Sequence, residues 1–385
     1  MTTTADVAVT ADTGFARVRP HDLSSLDEFV YEGVASYDEP LDEGRRLEWL
    51  AAAAEHHLQG STVFARLATH RGFTPEQLLE RGDPSLVPLL SSGLFKRRDL
   101  TTGSGAAVKL CKSTGTRGTQ SIVPRDQRTL ERFVGTVVHA MREFIGSTDA
   151  LEAFVLSPSG EDADDIWFSY VLSLVELLYD TSFFVRDGAL QPEALWRALA
   201  ELDPEVQPAV VAPPGLLLDF LAWMEERGER LDLGARDGYV VTAGGWKRRE
   251  DEAVSRSELS ELVEERLGIQ RSRIRDAYNM VELNTLLLEC EHGRKHIPPW
   301  LVVLARRPAD MSVADPGEEG VLSFLDPTAV SYPCFVLSDD LGEVHRGPCE
   351  CGRDGETLLV SRRLDSVEQR GCGLKLERYS RESAT

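Results

Sequence analysis

Positive charge is scarce in this chain of 385 residues: 42 lysines and arginines stand against 64 aspartates and glutamates, a formal charge of −22. That balance argues against nucleic acid or anionic membrane as bulk partners, but leaves room for a local basic site gripping one nucleotide. Long apolar runs are missing too. The longest, near Val171–Leu178 and Trp300–Ala305, fall well short of the ~20 residues that span a bilayer. The opening Met1-Thr2-Thr3-Thr4 has neither the basic nor the apolar part of a secretion signal, so the cytoplasm is the expected compartment. Cysteine is sparse, six in all, and in that compartment the six read as free, metal-bound or catalytic rather than disulfide-bonded. No internal repeat or low-complexity linker divides the chain. What is present is ordinary globular composition, 42% hydrophobic and 28% charged, enough for one large or two medium domains with a buried core.

Residues 1–14 read as a disordered, Thr/Ala-rich tail. Apolar positions Leu47, Leu50, Ala54 and Leu58, then Val63 and Leu67, predict one or two amphipathic helices broken near Gly60-Ser61. His56 and His57 within them read as packing or surface residues. Thr74-Pro75-Glu76-Gln77 opens another helix with an N-cap and a first-turn proline. Leu130, Phe133, Val137, Met141 and Phe144 predict a helix over 128–145, and Trp167 begins an apolar helix reaching Tyr179. That helix reads as core, with its aromatic side a candidate pocket wall. Strands are expected at 151–157, 209–212 and 238–242, alternating with helices such as 216–227, which argues for an α/β fold. Ser257–Leu267 reads as a capped helix, and residues 298–360 as strands and turns.

One glycine-studded stretch suits phosphate: Lys112-Ser113-Thr114-Gly115-Thr116-Arg117-Gly118-Thr119-Gln120-Ser121. Glycine lets main-chain N–H groups approach an anion, and the hydroxyls add donors. It is not the pattern that ends Gly-Lys-Ser/Thr and opens a helix, and alone it is equally an ordinary surface turn. Three pieces follow it in order. Gly244-Gly245-Trp246-Lys247 follows a strand; Asp276-Ala277-Tyr278-Asn279-Met280-Val281-Glu282 sets an aromatic ring four residues before a carboxylate; Ser338-Asp339-Asp340 offers acidic groups, expected at a turn, for a ribose diol. Singly each is as readily a turn, a helix face or a solvated acidic loop.

In that order they resemble the adenylate-forming enzymes, and within them the acyl-protein synthetase (LuxE-type) family. The resemblance covers roughly residues 25–377. It also takes in Glu289–Trp300, Ser331-Tyr332-Pro333 and Arg370-Gly371-Cys372. It implies an α/β adenylate-forming large domain (15–360) of mixed sheets packed by helices, with a small β-rich region near 298–360. A truncated tail (361–385) would stand in place of a full lid domain. ATP phosphates would lie on Ser113, Thr114, Gly115, Thr116 and Gly118, with Gly244 and Gly245 close to the nucleotide. Tyr278 would stack on adenine, Glu282 hold Mg²⁺, Asp340 take the ribose hydroxyls, and Arg363, or its neighbour Arg362, sit by the ribose and α-phosphate. Arg117 and Asn279 depart from the family pattern; the first is expected to add charge beside the phosphates, the second to constrict the adenine edge.

The implied reaction is activation of a fatty or aryl carboxylic acid as acyl-AMP, then transfer to Cys372 as a thioester for an acyl reductase partner. By spacing alone Cys372 reads as a small buried residue; the family match makes it the nucleophile. A phenylacetate-type CoA ligase, with Cys372 idle, and a catalytically silent nucleotide-binding subunit are the alternatives. Cys290, His296, Cys349 and Cys351 lack zinc-finger spacing, yet thiolates plus imidazole suit tetrahedral Zn²⁺, and related ligases carry similar segments; His292 is a reserve ligand. Cys111 and Cys334 read as packing. The acid is unspecified, and an oligomer is compatible with the sequence.

Overall fold

The computed structural model describes residues 23–32, 37, 42–103, 105, 107–114, 120–146, 148, 150–160 and 165–364, apart from the side chains at 32, 247, 248 and 250. Six strands form one sheet, in the order Leu287–Leu288, Ile274–Tyr278, Tyr239–Ala243, Gln207–Ala212, Leu151–Val155, Asp180–Phe183. Every neighbouring pair is parallel except the first, which is antiparallel.

Parallel strands connected by helices are covered on both faces and so read as unbroken apolar runs. Ala209, Val210, Val211 and Ala212 are accordingly all buried. Their alternation sorts them between two cores. Val210, with Phe154 and Val240, packs under the helices Pro192–Ala200, Pro214–Arg227 and Arg256–Leu267. Val211, with Ala153 and Val241, packs under Gln127–Phe144 and Trp167–Ser173.

The expected β-rich region is a second sheet, ordered Lys295–His296, Glu356–Arg363, Phe335–Arg346, Gly320–Leu325, Val302–Arg306 and antiparallel throughout that path. The short strand Leu90–Ser91 adds parallel to Phe335–Arg346. The helices Glu43–Gly60, Thr62–Arg71 and Pro75–Arg81 cover Val302, Leu304, Leu325 and Phe335. The break at Ser61, the Thr74 cap and the first-turn Pro75 stand as the sequence predicts. His57 Nδ1 lies 2.8 Å from the Thr102 hydroxyl and His56 Nε2 2.8 Å from the Val330 carbonyl, so both imidazoles are packing groups. No helix among the described residues is long and apolar enough to cross a membrane.

Four local expectations change. The Ser257 helix opens two residues earlier: Ser255 and Glu258 exchange hydrogen bonds (2.7 and 3.2 Å). Only that pair has the three-residue spacing a capping box requires, whereas Ser257 reaches Glu261 four residues on. The Trp167 helix stops at Ser173 and tightens into a 3₁₀ turn over Leu174–Leu177, because the chain must enter the edge strand at Asp180. Asp339 and Asp340 lie inside the strand Phe335–Arg346, not at a turn. The strand Glu356–Arg363 also runs through the boundary expected at 360.

Candidate active site

Ligands of open α/β sheets bind beyond the carboxyl ends of the strands. Gly244 and Gly245 follow one such end, that of Tyr239–Ala243; Tyr278 closes the next strand, and Glu282 lies just past it. A hydrogen bond from Leu283 N–H to the Met280 carbonyl (2.9 Å) bends the chain back there, which brings Glu282 inside the site. Gly244 has φ +76°, and a Cβ on it would meet the Phe168 ring at 2.8 Å, so glycine is required on both counts.

The glycine-rich loop joins two strands, Lys109–Lys112 and Ile122–Arg125, paired antiparallel. Gly115, Thr116, Arg117 and Gly118 lie outside the described residues, but the loop's base is fixed. Ser113 N–H donates to the Ser121 carbonyl (3.0 Å), Ser121 N–H to Ser113 Oγ (3.0 Å), and the Gln120 amide to the Ser113 carbonyl (2.7 Å). Thr114 is exposed beside them. Lys112, which opens the stretch, pairs with Asp165 at 2.8 Å.

Four predicted residues from distant parts of the chain converge on that base. The Tyr278 hydroxyl donates to Asp340 at 2.7 Å. Arg363, register partner of Asp340 on the adjacent strand, brings its guanidinium within 3.9 Å of Asp340 and 3.7 Å of Asp339. Burial raises the Glu282 carboxyl above its ordinary pKa, and the Ser121 hydroxyl, Lys96 and Arg363 draw it back. Burial raises Asp340 likewise, against Arg363 and the Tyr278 hydroxyl. Burial and the Asp340 charge push the Tyr278 phenol well up, so it stays a donor at neutral pH. One face of the Tyr278 ring stacks on Phe324 (centroids 5.6 Å, 21° between planes).

The structure corrects Asn279. Its amide does not face the adenine edge: the oxygen accepts from Trp167 Nε1 (2.7 Å), and the nitrogen donates to the carbonyls of Leu283 (3.1 Å) and Thr285 (2.9 Å). Trp167 is thus a core residue, as read, and ties the aromatic helix to the chain just past the strand Ile274–Tyr278. Two site residues escaped the sequence. Lys96 ends a 3₁₀ turn, Ser92–Lys96, anchored when Ser92 Oγ donates to Asp339 at 2.9 Å; the basic run Lys96-Arg97-Arg98 in so acidic a chain was the available signal. Cys334, read as packing, aims its thiol at the Glu282 carbonyl (3.1 Å). A cavity of about 780 Å³ beside the helix Gln127–Phe144 is lined by Tyr170 of the aromatic helix, the candidate pocket wall, and by none of the predicted nucleotide, catalytic or metal residues. Cys372 lies outside the described residues.

Cys290, His296, Cys349 and Cys351 do come together, with ligand atoms within 4.8 Å of one another. Cys290 Sγ is 3.8 Å from Cys349 Sγ, and Cys351 Sγ is 3.3 Å from His296 Nε2. Two matching turns present the three cysteines, and the strand Lys295–His296 presents the histidine. In Cys290-Glu291-His292-Gly293-Arg294 and Cys349-Glu350-Cys351-Gly352-Arg353 the cysteine N–H donates to the arginine carbonyl and the glycine N–H returns to the cysteine carbonyl. Each glycine has positive φ, 71° and 91°. Burial pushes the Cys290 thiol up to about 12, and a cation taken up here would have to displace that proton. Three sulfurs and an imidazole in one cluster fit Zn²⁺. His292, the reserve ligand, faces Glu350 instead (3.3 Å).

A family model for acyl-protein synthetase, LuxE, matches residues 24–380. The long-chain-fatty-acid–luciferin-component ligase of Vibrio harveyi is 34% identical over 363 residues, 92% of this chain and 93% of that protein. The protein of the same name from Aliivibrio fischeri is 32% identical over 295 residues, 75% and 78%. Among solved structures, 2-hydroxyisobutyryl-CoA ligase with 2-HIB-AMP in the postadenylation state superposes with TM-score 0.68 at 14% identity, over 86% of this chain and 70% of that one. Its open conformation with 2-HIB-AMP and CoA gives 0.65 over 83% and 69%. At that identity the likeness speaks to the fold, which is that of adenylate-forming ligases.

Proposed function

Because the chain belongs to the acyl-protein synthetase (LuxE) family of ligases, we propose that it activates a carboxylic acid as acyl-AMP and passes the acyl group to its own Cys372. The observation that carries this reading is the meeting of Tyr278, Glu282, Asp340 and Arg363 with the base of the Ser113–Ser121 loop. The first step is in-line: a carboxylate oxygen bonds to the α-phosphorus of ATP while the bond to pyrophosphate breaks. It requires position and charge neutralisation, not a side-chain base.

Asp340 accepts from the ribose diol, with Tyr278 fixing the carboxylate and offering its free face to adenine. Arg363 and Lys96 supply positive charge, and the residues 113–118 wrap the phosphates. Glu282, a hard carboxylate oxygen beside the Ser121 hydroxyl, fits Mg²⁺. When bound, that ion neutralises phosphate charge. In the second step the Cys372 thiolate, its proton given to solvent, bonds to the acyl carbonyl carbon and AMP departs. The thioester keeps the acyl group reactive for an acyl reductase. The adenylating domain then runs on through the strand Glu356–Arg363, the residues beyond it carry Cys372, and Zn²⁺ on Cys290, His296, Cys349 and Cys351 is structural. A fatty acid is the first substrate to test, as in the relatives' names.

The test is exchange of labelled pyrophosphate into ATP, dependent on added carboxylate, alongside hydroxylamine-sensitive labelling of the protein by radioactive acid. Cys372→Ala is expected to keep the exchange and lose the label. No exchange with any acid would end the adenylation reading; full exchange with acyl-CoA as product and no Cys372 label would replace self-acylation by CoA ligation.

A further inference from the structure

Arg125 ends the strand that leaves the phosphate loop, and its side chain is entirely buried. The oxygens it donates to are all neutral, and the buried Cys111 thiol is a further partner. Nε donates to the Asn284 amide oxygen (3.0 Å), and Nη2 to the carbonyls of Val281 (2.8 Å) and Leu283 (3.2 Å) and the Tyr332 hydroxyl (3.1 Å). The guanidinium carbon also lies 3.7 Å from the centre of the Trp167 ring. Burying a cation is expensive, several kcal/mol even after relaxation, and a carboxylate partner is the usual remedy. Here two of the fork's bonds go to backbone, and that backbone flanks Glu282 on both sides. The carbonyl of Glu282 itself is taken by the Cys334 thiol (3.1 Å). Three consecutive peptide oxygens are therefore held by buried donors, while Asn284 is secured from behind by its own amide, which donates to the Thr129 carbonyl (3.0 Å) and Thr328 Oγ1 (3.1 Å).

We infer that Arg125 is a positioning residue that registers the Glu282 carboxylate against the phosphate loop, with Cys334 as its accessory. It touches no reacting atom. Because one end of its tether is the strand leaving the loop and the other is the Glu282 turn, displacement of either is passed to the other. The inference rests on the adenylation reading, in which Glu282 meets Mg²⁺ and ATP. Its signature is selective: the benefit that Mg²⁺ adds to ATP binding should shrink, whereas metal-free ATP binding should change little. Groups that orient a metal-binding side chain are worth about 10–100-fold in metal affinity, which sets the scale.

The experiment is titration calorimetry of the full-length protein with ATP, in Mg²⁺ and in EDTA, paired with thermal unfolding. For Arg125→Lys, which keeps the charge and loses the fork, the Mg²⁺-dependent gain in affinity is expected to fall about tenfold, and the affinity in EDTA to stay within about threefold. Cys334→Ala should move the gain in the same direction by about threefold, and Cys334→Ser, with a hydroxyl donor in place of the thiol, should restore it. An unchanged Mg²⁺ gain in Arg125→Lys overturns the inference, as does equal loss in Mg²⁺ and EDTA. If Arg125→Lys does not fold, the Cys334 pair decides: alanine and serine behaving alike overturns it. Wild-type protein that binds no ATP in either buffer would instead remove the adenylation reading beneath it.

Discussion

Tyr278→Phe removes one oxygen atom and leaves the ring on Phe324. In the structure that oxygen donates at 2.7 Å to Asp340, a carboxylate which burial already destabilises as an anion. A hydrogen bond to a charged group contributes about 1.5–3 kcal/mol. The guanidinium of Arg363 at 3.9 Å is the other aid to the Asp340 charge, and it is mostly exposed; it can replace little of what is lost. If half of the bond's worth is needed to aim Asp340 at the ribose, the apparent affinity for ATP should fall about tenfold, since ~1.4 kcal/mol is a factor of ten. The assay is carboxylate-dependent ATP–pyrophosphate exchange. KM for ATP is expected to rise about tenfold, with kcat within about threefold and KM for the acid unchanged, because the reacting phosphorus is held by other groups. Discrimination between ATP and 2′-deoxy-ATP should narrow in the variant. A KM within about twofold of wild type, with the same preference for the ribose hydroxyl, would refute the assignment of Tyr278 and Asp340 as a nucleotide pair.

Other expectations concern charge and metal. Burial raises the pKa of Glu282 and Asp340 above their ordinary values of 4.5 and 3.8. For acids raised by folding, the unliganded protein holds extra protons and is favoured below those values, and it loses that stability as pH climbs through the shifted ones. Mg²⁺ and ATP need both groups ionised, so binding should release protons and tighten as pH rises from about 4.5 upward; calorimetry in two buffers of different ionisation enthalpy reads the proton count, and zero release would contradict it. Lys295 is buried between Asp276 (2.8 Å) and Glu289 (2.9 Å), so Lys295→Met should destabilise by about 3–5 kcal/mol and lower Tm by on the order of 10 °C; a loss under ~1 kcal/mol would mean the pair is dispensable. Purified protein should carry about one zinc per chain by elemental analysis, and Cys349→Ser should lose it together with about 3 kcal/mol of stability, whereas equal zinc content in both would remove the metal from that cluster.

The elements were legible where a strong period met a clear stop: Gly60-Ser61, Thr74-Pro75 and the buried strands of the parallel sheet each carry their own local instruction. The meeting of Tyr278 and Asp340 was legible only through the order of motifs, because no local rule links residues 62 positions apart. What stayed hidden was what side chains do across such distances. Asn279 looked like an intruder at the adenine edge, yet a short amide can satisfy three partners by turning inward. Arg125 carries no local signal in Pro124-Arg125-Asp126, because its burial depends on Tyr332, Asn284 and Trp167 arriving from elsewhere. The aspartates near 340 read as a turn because acidic pairs favour turns; inside a strand they are tolerated because Arg363 and Ser92 meet them.

The twin five-residue turns at Cys290 and Cys349 belong to segments that become neighbours only through the pairing of Lys295–His296 with Glu356–Arg363. Before that pairing forms, an incoming ion can find at most half a cage on either turn. A metal captured there would therefore act as a latch closed at the end of assembly rather than as a seed for it, and its uptake during refolding should trail formation of the second sheet.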